Sequence, residues 1–340
     1  MKKITISFLE VSEGWQKKLI QEAFQNSQYK LIISPNKLTA ANVAKYSDSD
    51  ALSVFIHSEI TDGVLQKLPQ LKIIVTNSTG YDHIDLSACK RRGVLVANVP
   101  FYGENTVAEH TFALILALSR KIVDSVNRTR RGQFDLTGLR GFDLKNKTIG
   151  VVGTGHIGRH VIRIAHGFEM KILAYDLFPD KSLESHYPLK YVSLNQLLPH
   201  SDIVSLHAPY NKQTHHMINS RNVRDIKPGA YLVNTSRGGL IETSALLSAL
   251  KSKRLAGAAL DVMEEEGMIS EDSGLIPGNL ERDKLNTVLE NHKLLSMDKV
   301  LVTPHNAFNS EEAVMRILTT TIENLRSWER GKPVNIVSGS

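Results

Sequence analysis

Thr148-Ile149-Gly150-Val151-Val152-Gly153-Thr154-Gly155-His156-Ile157-Gly158 joins an apolar, β-branched run to three glycines in a G-x-G-x-x-G pattern. The first five residues read as a strand, and His160–Gly167 continues as a helix. Gly153 permits the tight turn, Gly155 lets the backbone approach a pyrophosphate, and Gly158 lets helix and strand pack closely. The helix N-terminus offers free N–H groups and partial positive charge to phosphate. Thr154, His156 and Ile157 complete this expected cradle. A second strand, Lys171–Tyr175, ends at Asp176, eighteen residues after Gly158. An acid there accepts the ribose hydroxyls of NAD and repels the extra phosphate of NADP, and no arginine follows it immediately.

Outward from that stretch, strands and helices alternate. Strand-like runs occur before it at Ile4–Phe8, Leu31–Ile33, Leu52–Ile56, Ile73–Thr76 and Val94–Ala97. After it they recur at Ile203–His207, Tyr231–Asn234, Ala256–Leu260 and Val300–Thr303. Near-continuous apolar strands separated by helices predict parallel sheets covered on both faces. Val107, Thr111, Leu114, Leu118 and Ile122 recur at helical spacing, which predicts one long helix over Glu104–Arg131 between the two series. A last helix over Ser310–Arg330 stops at Gly331 and Pro333.

The expected fold is α/β, with two doubly wound parallel-sheet domains. A discontinuous first domain takes residues 1–100 and 306–340, and a dinucleotide-binding domain takes residues 101–305. The stretch Gly267–Asp298, rich in Glu, Asp, Asn and Gly, reads as a long irregular surface excursion.

Composition limits the function. A chain of 340 residues with 41% hydrophobic and 22% charged residues is ordinary for a globular protein of two domains. The single cysteine, Cys89, permits no internal disulfide, which suits a reducing cytoplasm. The opening MKKITISFLEVSEGW reads as a first strand rather than a signal peptide. No apolar run approaches the ~20 residues of a membrane helix. The net charge of +6 is scattered rather than gathered with aromatics, so neither nucleic acid nor membrane is an expected partner.

Three further residues carry chemistry. Arg237, in Asn234-Thr235-Ser236-Arg237-Gly238-Gly239, follows a buried strand at the sheet edge where such folds bind ligands, and a guanidinium there can grip a carboxylate with two hydrogen bonds. His305, in Thr303-Pro304-His305-Asn306-Ala307, can move a proton near neutral pH if a carboxylate holds its other ring nitrogen. Glu264-Glu265-Glu266 offers three such carboxylates. Most of the other histidines, among them His110, His160, His166, His215 and His216, read as packing or surface residues. No His or Cys pair has zinc-ligand spacing with a third ligand, so no metal is expected.

The chain resembles the D-isomer-specific 2-hydroxyacid dehydrogenases along nearly its whole length. The matching segments are STGYDHIDLSAC from Ser78, NVPFYGENTVAEH from Asn98, VVGTGHIG from Val151, NTSRGG from Asn234, ALDVMEEEG from Ala259 and VTPHNAF from Val302. The first and last look most like the D-lactate dehydrogenase branch. The resemblance implies a flavodoxin-like substrate domain with an inserted Rossmann domain, NAD as cofactor, a small 2-keto or 2-hydroxy acid as substrate, and a homodimer. It gives Arg237 the substrate carboxylate, His305 the acid/base role, and Glu266, five residues after Asp261, the role of its partner. Asp261 would meet the nicotinamide amide, with His207, Pro209, Thr235 and Ser236 as further cofactor contacts. Thr79 and Gly80 would complete the carboxylate pocket, with Tyr102 and Phe308 facing substrate, and domain closure would exclude water. Hydroxypyruvate or glyoxylate reductases, phosphoglycerate or phosphite dehydrogenases and NAD-sensing corepressors share the scaffold. Formate dehydrogenases carry glutamine in place of Glu266.

Overall fold

The apolar runs pair as parallel strands in the computed structural model, which describes residues 3–266 and 282–337. From the start of the chain they are β1 (Ile4–Phe8), α1 (Gly14–Ala23), β2 (Tyr29–Ile33), β3 (Ala51–Val54), α2 (Asp62–Leu65), β4 (Ile73–Thr76), α3 (Leu86–Arg91) and β5 (Leu95–Ala97). The sheet order is β2-β1-β3-β4-β5, parallel throughout. Successive side chains point to opposite faces. Ile73 and Val75 therefore enter one core with Phe8 and Ala97, while Ile74 enters another with Leu52 and Val96. Both faces are covered, which is why Ile73–Val75 of β4 reads as an unbroken apolar run.

The second series follows. It comprises α4 (Glu104–Ser119), α5 (Ile122–Arg130), β6 (Thr148–Val152), α6 (His156–Gly167), β7 (Lys171–Tyr175), α7 (Ser182–His186), β8 (Leu189–Tyr191), α8 (Leu194–Leu197), β9 (Ile203–Leu206), β10 (Ala230–Asn234), α9 (Thr243–Lys251), β11 (Leu255–Leu260), α10 (Arg282–Leu295) and β12 (Val300–Val302). Its seven strands run β12-β11-β10-β9-β6-β7-β8, again all parallel. The order reverses between β6 and β9, the topological switch point at which doubly wound sheets bind ligands.

The final helix, α11 (Glu311–Glu329), returns to the first sheet. Thr321 donates to the Asn77 side chain at 2.7 Å, and the buried Asn324 donates to the Asn98 carbonyl at 2.8 Å. The chain thus divides into one unit of Met1–Tyr102 with Ser310–Ser340 and a second of Gly103–Asn309. No helix among the described residues is long and apolar enough to cross a membrane.

Two expected elements differ. The single helix over Glu104–Arg131 is two helices, because Lys121 takes φ +54°, in the left-handed region. The crossing chain fixes the break: Phe142 N–H donates to the Ser119 carbonyl at 2.9 Å, and a Cβ on Gly141 would lie 2.0 Å from that oxygen. The excursion expected over Gly267–Asp298 contains α10, whose buried Val288, Asn291 and Leu294 lie three residues apart. A narrow buried stripe with an asparagine in it was masked by the polar residues around it. Residues 267–281 of that stretch lie outside the described residues. The short strand β8 has no counterpart in the expected elements.

Candidate active site

Each glycine of the first motif meets a different steric demand. Gly153 has φ +92°, and a Cβ there would sit 2.6 Å from the His207 carbonyl carbon, so the loops after β6 and β9 touch backbone to backbone. A Cβ on Gly158 would lie 2.0 Å from the Gly153 carbonyl oxygen, so α6 folds directly onto the turn. Among the described residues, a Cβ on Gly155 would meet nothing within 4 Å. Gly155 caps α6 with no side chain of its own, leaving open space over the helix N-terminus, the surroundings a pyrophosphate requires.

Asp176 stands just past β7, half-buried, and is held by this loop. Its Oδ2 accepts from Thr154 N–H at 2.7 Å and from the Thr154 hydroxyl at 3.1 Å, and its Oδ1 accepts from Phe178 N–H at 2.9 Å. Tyr191 donates in turn to Thr154 Oγ1 at 3.0 Å. A carboxylate has about four acceptor sites, so capacity is left for ribose hydroxyls. The residues present fit a dinucleotide. Ile157 packs inward beneath the loop, and His156 opens the helix.

The next loops continue along the carboxyl ends of the strands. His207 shares a hydrogen bond of 2.8 Å with Ser205 Oγ, while its Nδ1 is shut away from solvent with no hydrogen-bond partner among the described residues. Burial pushes its pKa down to about 3, so the ring is neutral at physiological pH. Pro209, exposed, accepts from the Thr214 hydroxyl at 2.7 Å. Ser236 donates to the Ala208 carbonyl at 2.7 Å, tying the loop after β9 to the loop after β10. Thr235 is buried, and its hydroxyl meets that of Thr111 on α4 at 2.9 Å.

Arg237 is half-buried, and its backbone is fixed by Asn234, a fully buried residue at the end of β10. Asn234 Nδ2 donates to the Arg237 carbonyl at 2.8 Å, and its Oδ1 accepts from Ser236 N–H at 3.0 Å. The guanidinium donates from Nη1 to the Ser236 carbonyl at 2.8 Å. Gly238 lies against the next segment, where a Cβ would be 2.1 Å from the Met263 carbonyl carbon.

That segment ends in the triple glutamate, and the structure separates its members. Glu266 Oε1 lies 2.7 Å from His305 Nδ1, and its Oε2 accepts from Met263 N–H at 3.1 Å. Glu264 instead pairs with His216 at 2.6 Å. With Nδ1 donating to Glu266, His305 has Nε2 to carry a transferable proton. Its backbone takes φ +51°, an unfavourable region for a residue with a side chain, and its N–H donates to the Asp261 carbonyl at 2.9 Å.

Asp261 secures that turn. Its carboxylate, 1% exposed, accepts from Asn306 N–H and Ala307 N–H, each at 3.0 Å, and from the Thr303 hydroxyl at 2.5 Å. His110 on α4 lies 3.4 Å from Oδ1. Burial works to raise the pKa of Asp261, but hydrogen bonds from His110, Thr303 and Ala307 outweigh it and hold the group below the usual carboxylate value. Neither His110 nor His216 was distinguishable from a packing residue in the sequence. Their partners lie 151 and 48 positions away, and no local pattern marks such pairs.

Phe308, half-buried, follows the His305 turn in the same unit. Thr79, Gly80 and Tyr102 belong to the first unit. Thr79 Oγ1 donates to the Val99 carbonyl at 2.9 Å, and its own carbonyl accepts from Asn98 Nδ2 at 2.8 Å. The Gly80 carbonyl accepts from Ser78 Oγ at 2.6 Å, so the loop after β4 is held at both residues. Tyr102 is half-buried, with its carbonyl accepting from Arg316 Nε at 2.5 Å. His57, exposed in the same unit, packs edge-on to Phe55 at 5.9 Å between ring centres.

Comparison with known proteins places the chain in one family. Residues 112–307 match the family model of the D-isomer specific 2-hydroxyacid dehydrogenase NAD-binding domain. The chain is 42% identical to D-lactate dehydrogenase kk1H of Curvularia clavata over 87% of its own length and 83% of that protein. It is 35% identical to a glyoxylate reductase of Korarchaeum cryptofilum over 94% of its length and 91% of that protein. Among solved structures, D-lactate dehydrogenase from Aquifex aeolicus, crystallised with NAD and lactic acid, superposes with a TM-score of 0.88 at 34% identity, covering 98% of this chain and 99% of that one.

Two outcomes follow from the geometry. Gly153→Ala adds a Cβ where φ is positive and the His207 backbone is 2.6 Å away, so NADH affinity measured by fluorescence titration should fall at least roughly tenfold. Asp261 has a lowered folded-state pKa, so its contribution to stability is full above the unfolded value near ~4 and is lost as pH falls through the folded one. In urea unfolding, the margin of wild type over Asp261→Asn should be largest near neutrality and shrink below about pH 4. A margin independent of pH would contradict the hydrogen-bonded, ionised carboxylate.

Proposed function

Because this chain belongs to the D-isomer-specific 2-hydroxyacid dehydrogenase family, whose members are NAD-dependent oxidoreductases, we propose that it reduces a small, pyruvate-like 2-keto acid to the D-2-hydroxy acid. The observation that carries this reading is the 2.7 Å pairing of Glu266 with His305 in the same unit as the glycine cradle and Arg237. When bound, reduced NAD supplies the hydride for the keto carbon. Arg237 binds the carboxylate and fixes the orientation of the acid. Glu266 fixes the tautomer and direction of the His305 ring, and His305 Nε2 gives its proton to the keto oxygen. In the reverse direction His305 takes that proton back. Asp176 binds the adenosine ribose, Asp261 meets the nicotinamide amide, and His207, Pro209, Thr235 and Ser236 line the cofactor. Thr79, Gly80, Tyr102 and Phe308 are proposed as substrate contacts on the family resemblance.

The similarity to a glyoxylate reductase at 35% identity supports glyoxylate as an alternative substrate. NADH oxidation across keto acids of graded size, from glyoxylate through pyruvate to bulkier members, with chiral analysis of the product, separates these readings. The expected result is fastest turnover on a small keto acid, with D-product from pyruvate and the bulkier members, glycolate from glyoxylate being achiral. An L-product, or trace turnover with tight NADH binding as in a sensor protein, would overturn the proposal. His305→Ala should lower kcat by roughly 10²–10⁴-fold, the range for losing a general acid, with NADH binding retained.

We further propose a homodimer. Support comes from the exposed apolar residues Ile122, Val123 and Val126 on α5 and Phe134 and Leu136 beyond it, the last two 78% and 79% exposed. Light scattering should give twice the chain mass, and a monomer would refute this.

A further inference from the structure

Glu264 has no part in the proton transfer described above, yet it is tightly bonded. One carboxylate oxygen faces His216 Nε2 at 2.6 Å. The other accepts from Thr243 N–H at 2.9 Å and the Thr243 hydroxyl at 2.6 Å, at the start of α9. The backbone carbonyl of Glu264 accepts from Nδ2 of the buried Asn291 on α10 at 2.7 Å. A carboxylate with this many partners is held in one place.

His216 connects Glu264 to the loop that carries Arg237. Its backbone N–H donates to the Gly239 carbonyl at 2.8 Å, and Asn219 Nδ2 holds its own carbonyl at 2.8 Å. Gly238, between Arg237 and Gly239, presses on the Met263–Glu264 backbone so closely that no Cβ fits. Met263 N–H is also the donor to Glu266 Oε2 at 3.1 Å. The connections therefore close a ring, running from the Arg237 loop to His216, to Glu264, and back through Met263 to Gly238. The carboxylate that orients His305 hangs from the same short segment.

We propose that His216 and Glu264 form a positioning pair that holds the Arg237 loop in register with the Glu266–His305 pair, and so sets where the substrate carboxylate lies relative to the proton donor. This rests on the reading of Arg237 as the carboxylate-binding residue. Neither His216 nor Glu264 touches substrate. Their effect passes through the loop geometry, where displacement of a binding group by about 1 Å is enough to cost a large factor in rate.

The backbone of His216 supplies a discriminating test, because its φ of +50° lies in the left-handed region. His216→Asn keeps a residue type that tolerates that conformation but is too short to reach Glu264. His216→Gln is less suited to the backbone but restores a side-chain N–H at the right reach. If the pair positions the loop, His216→Asn should raise KM for pyruvate and lower kcat/KM roughly tenfold, the scale of one charge-assisted hydrogen bond. NADH affinity should stay at the wild-type value, and His216→Gln should recover most of the loss. Wild-type kinetics in His216→Asn, or a loss in His216→Gln equal to that in His216→Asn, would overturn the inference. A lowered melting temperature with unchanged KM would also overturn it, since that is what a purely structural contact produces. Arg237→Gln measured alongside keeps the two readings apart. An unchanged pyruvate KM in that variant removes the assignment of Arg237 itself. A large KM increase there, with His216→Asn kinetically normal, removes only the positioning pair.

Discussion

A carboxylate taken out of water at the end of a parallel strand must be fully hydrogen-bonded if it is to stay ionised, and at Asp261 that requirement organises the chemistry around it. Its donors come from the turn after β12 and from α4, so one buried charge joins the end of β11 to both. The left-handed backbone at His305 persists because Asn306 N–H and Ala307 N–H, directly after it, are both held by that carboxylate. Charge-assisted hydrogen bonds thus offset the strain at His305.

The same logic runs along the edge of the second sheet. Each loop at the carboxyl end of a strand is tied to the next by a contact with little tolerance. Gly153 meets His207, Ser236 meets Ala208, Gly238 meets Met263, and Glu266 meets His305. Two of these four contacts need glycine because no Cβ fits, and two are side-chain hydrogen bonds. Glycine here brings backbones together, and charge sets the direction of the side chains. The glycine loop and the Glu266–His305 pair are consequently parts of one continuous edge within a single unit.

The triple glutamate shows how a repeated residue can be divided among tasks. Glu264 and Glu266 are two apart, and each takes a different histidine. Glu265, with φ +51°, turns the backbone between them. Three identical side chains thus become an anchor, a turn and an orienting carboxylate. Chain geometry decides which is which.

Much of this was legible in the residues themselves. Apolar runs bounded by turn residues gave the parallel strands, because strands buried on both faces have no polar side to alternate with. The glycine spacing gave the turn and the exposed helix N-terminus, since only glycine meets those steric demands. The break at Lys121 was not legible, because it depends on Gly141 and Phe142 crossing the helix end some twenty residues later. Helix α10 was hidden because a buried stripe only three residues wide carries Asn291 at its centre. The pairs His110–Asp261 and His216–Glu264 were equally silent, since a histidine's partner is set by which loops the sheet order brings together. Local sterics and hydrophobic period therefore determined the strands, the cradle and the candidate residues. Only the tertiary structure decided which charges meet, because hydrogen-bond partners act over about 3 Å of space regardless of their separation along the chain.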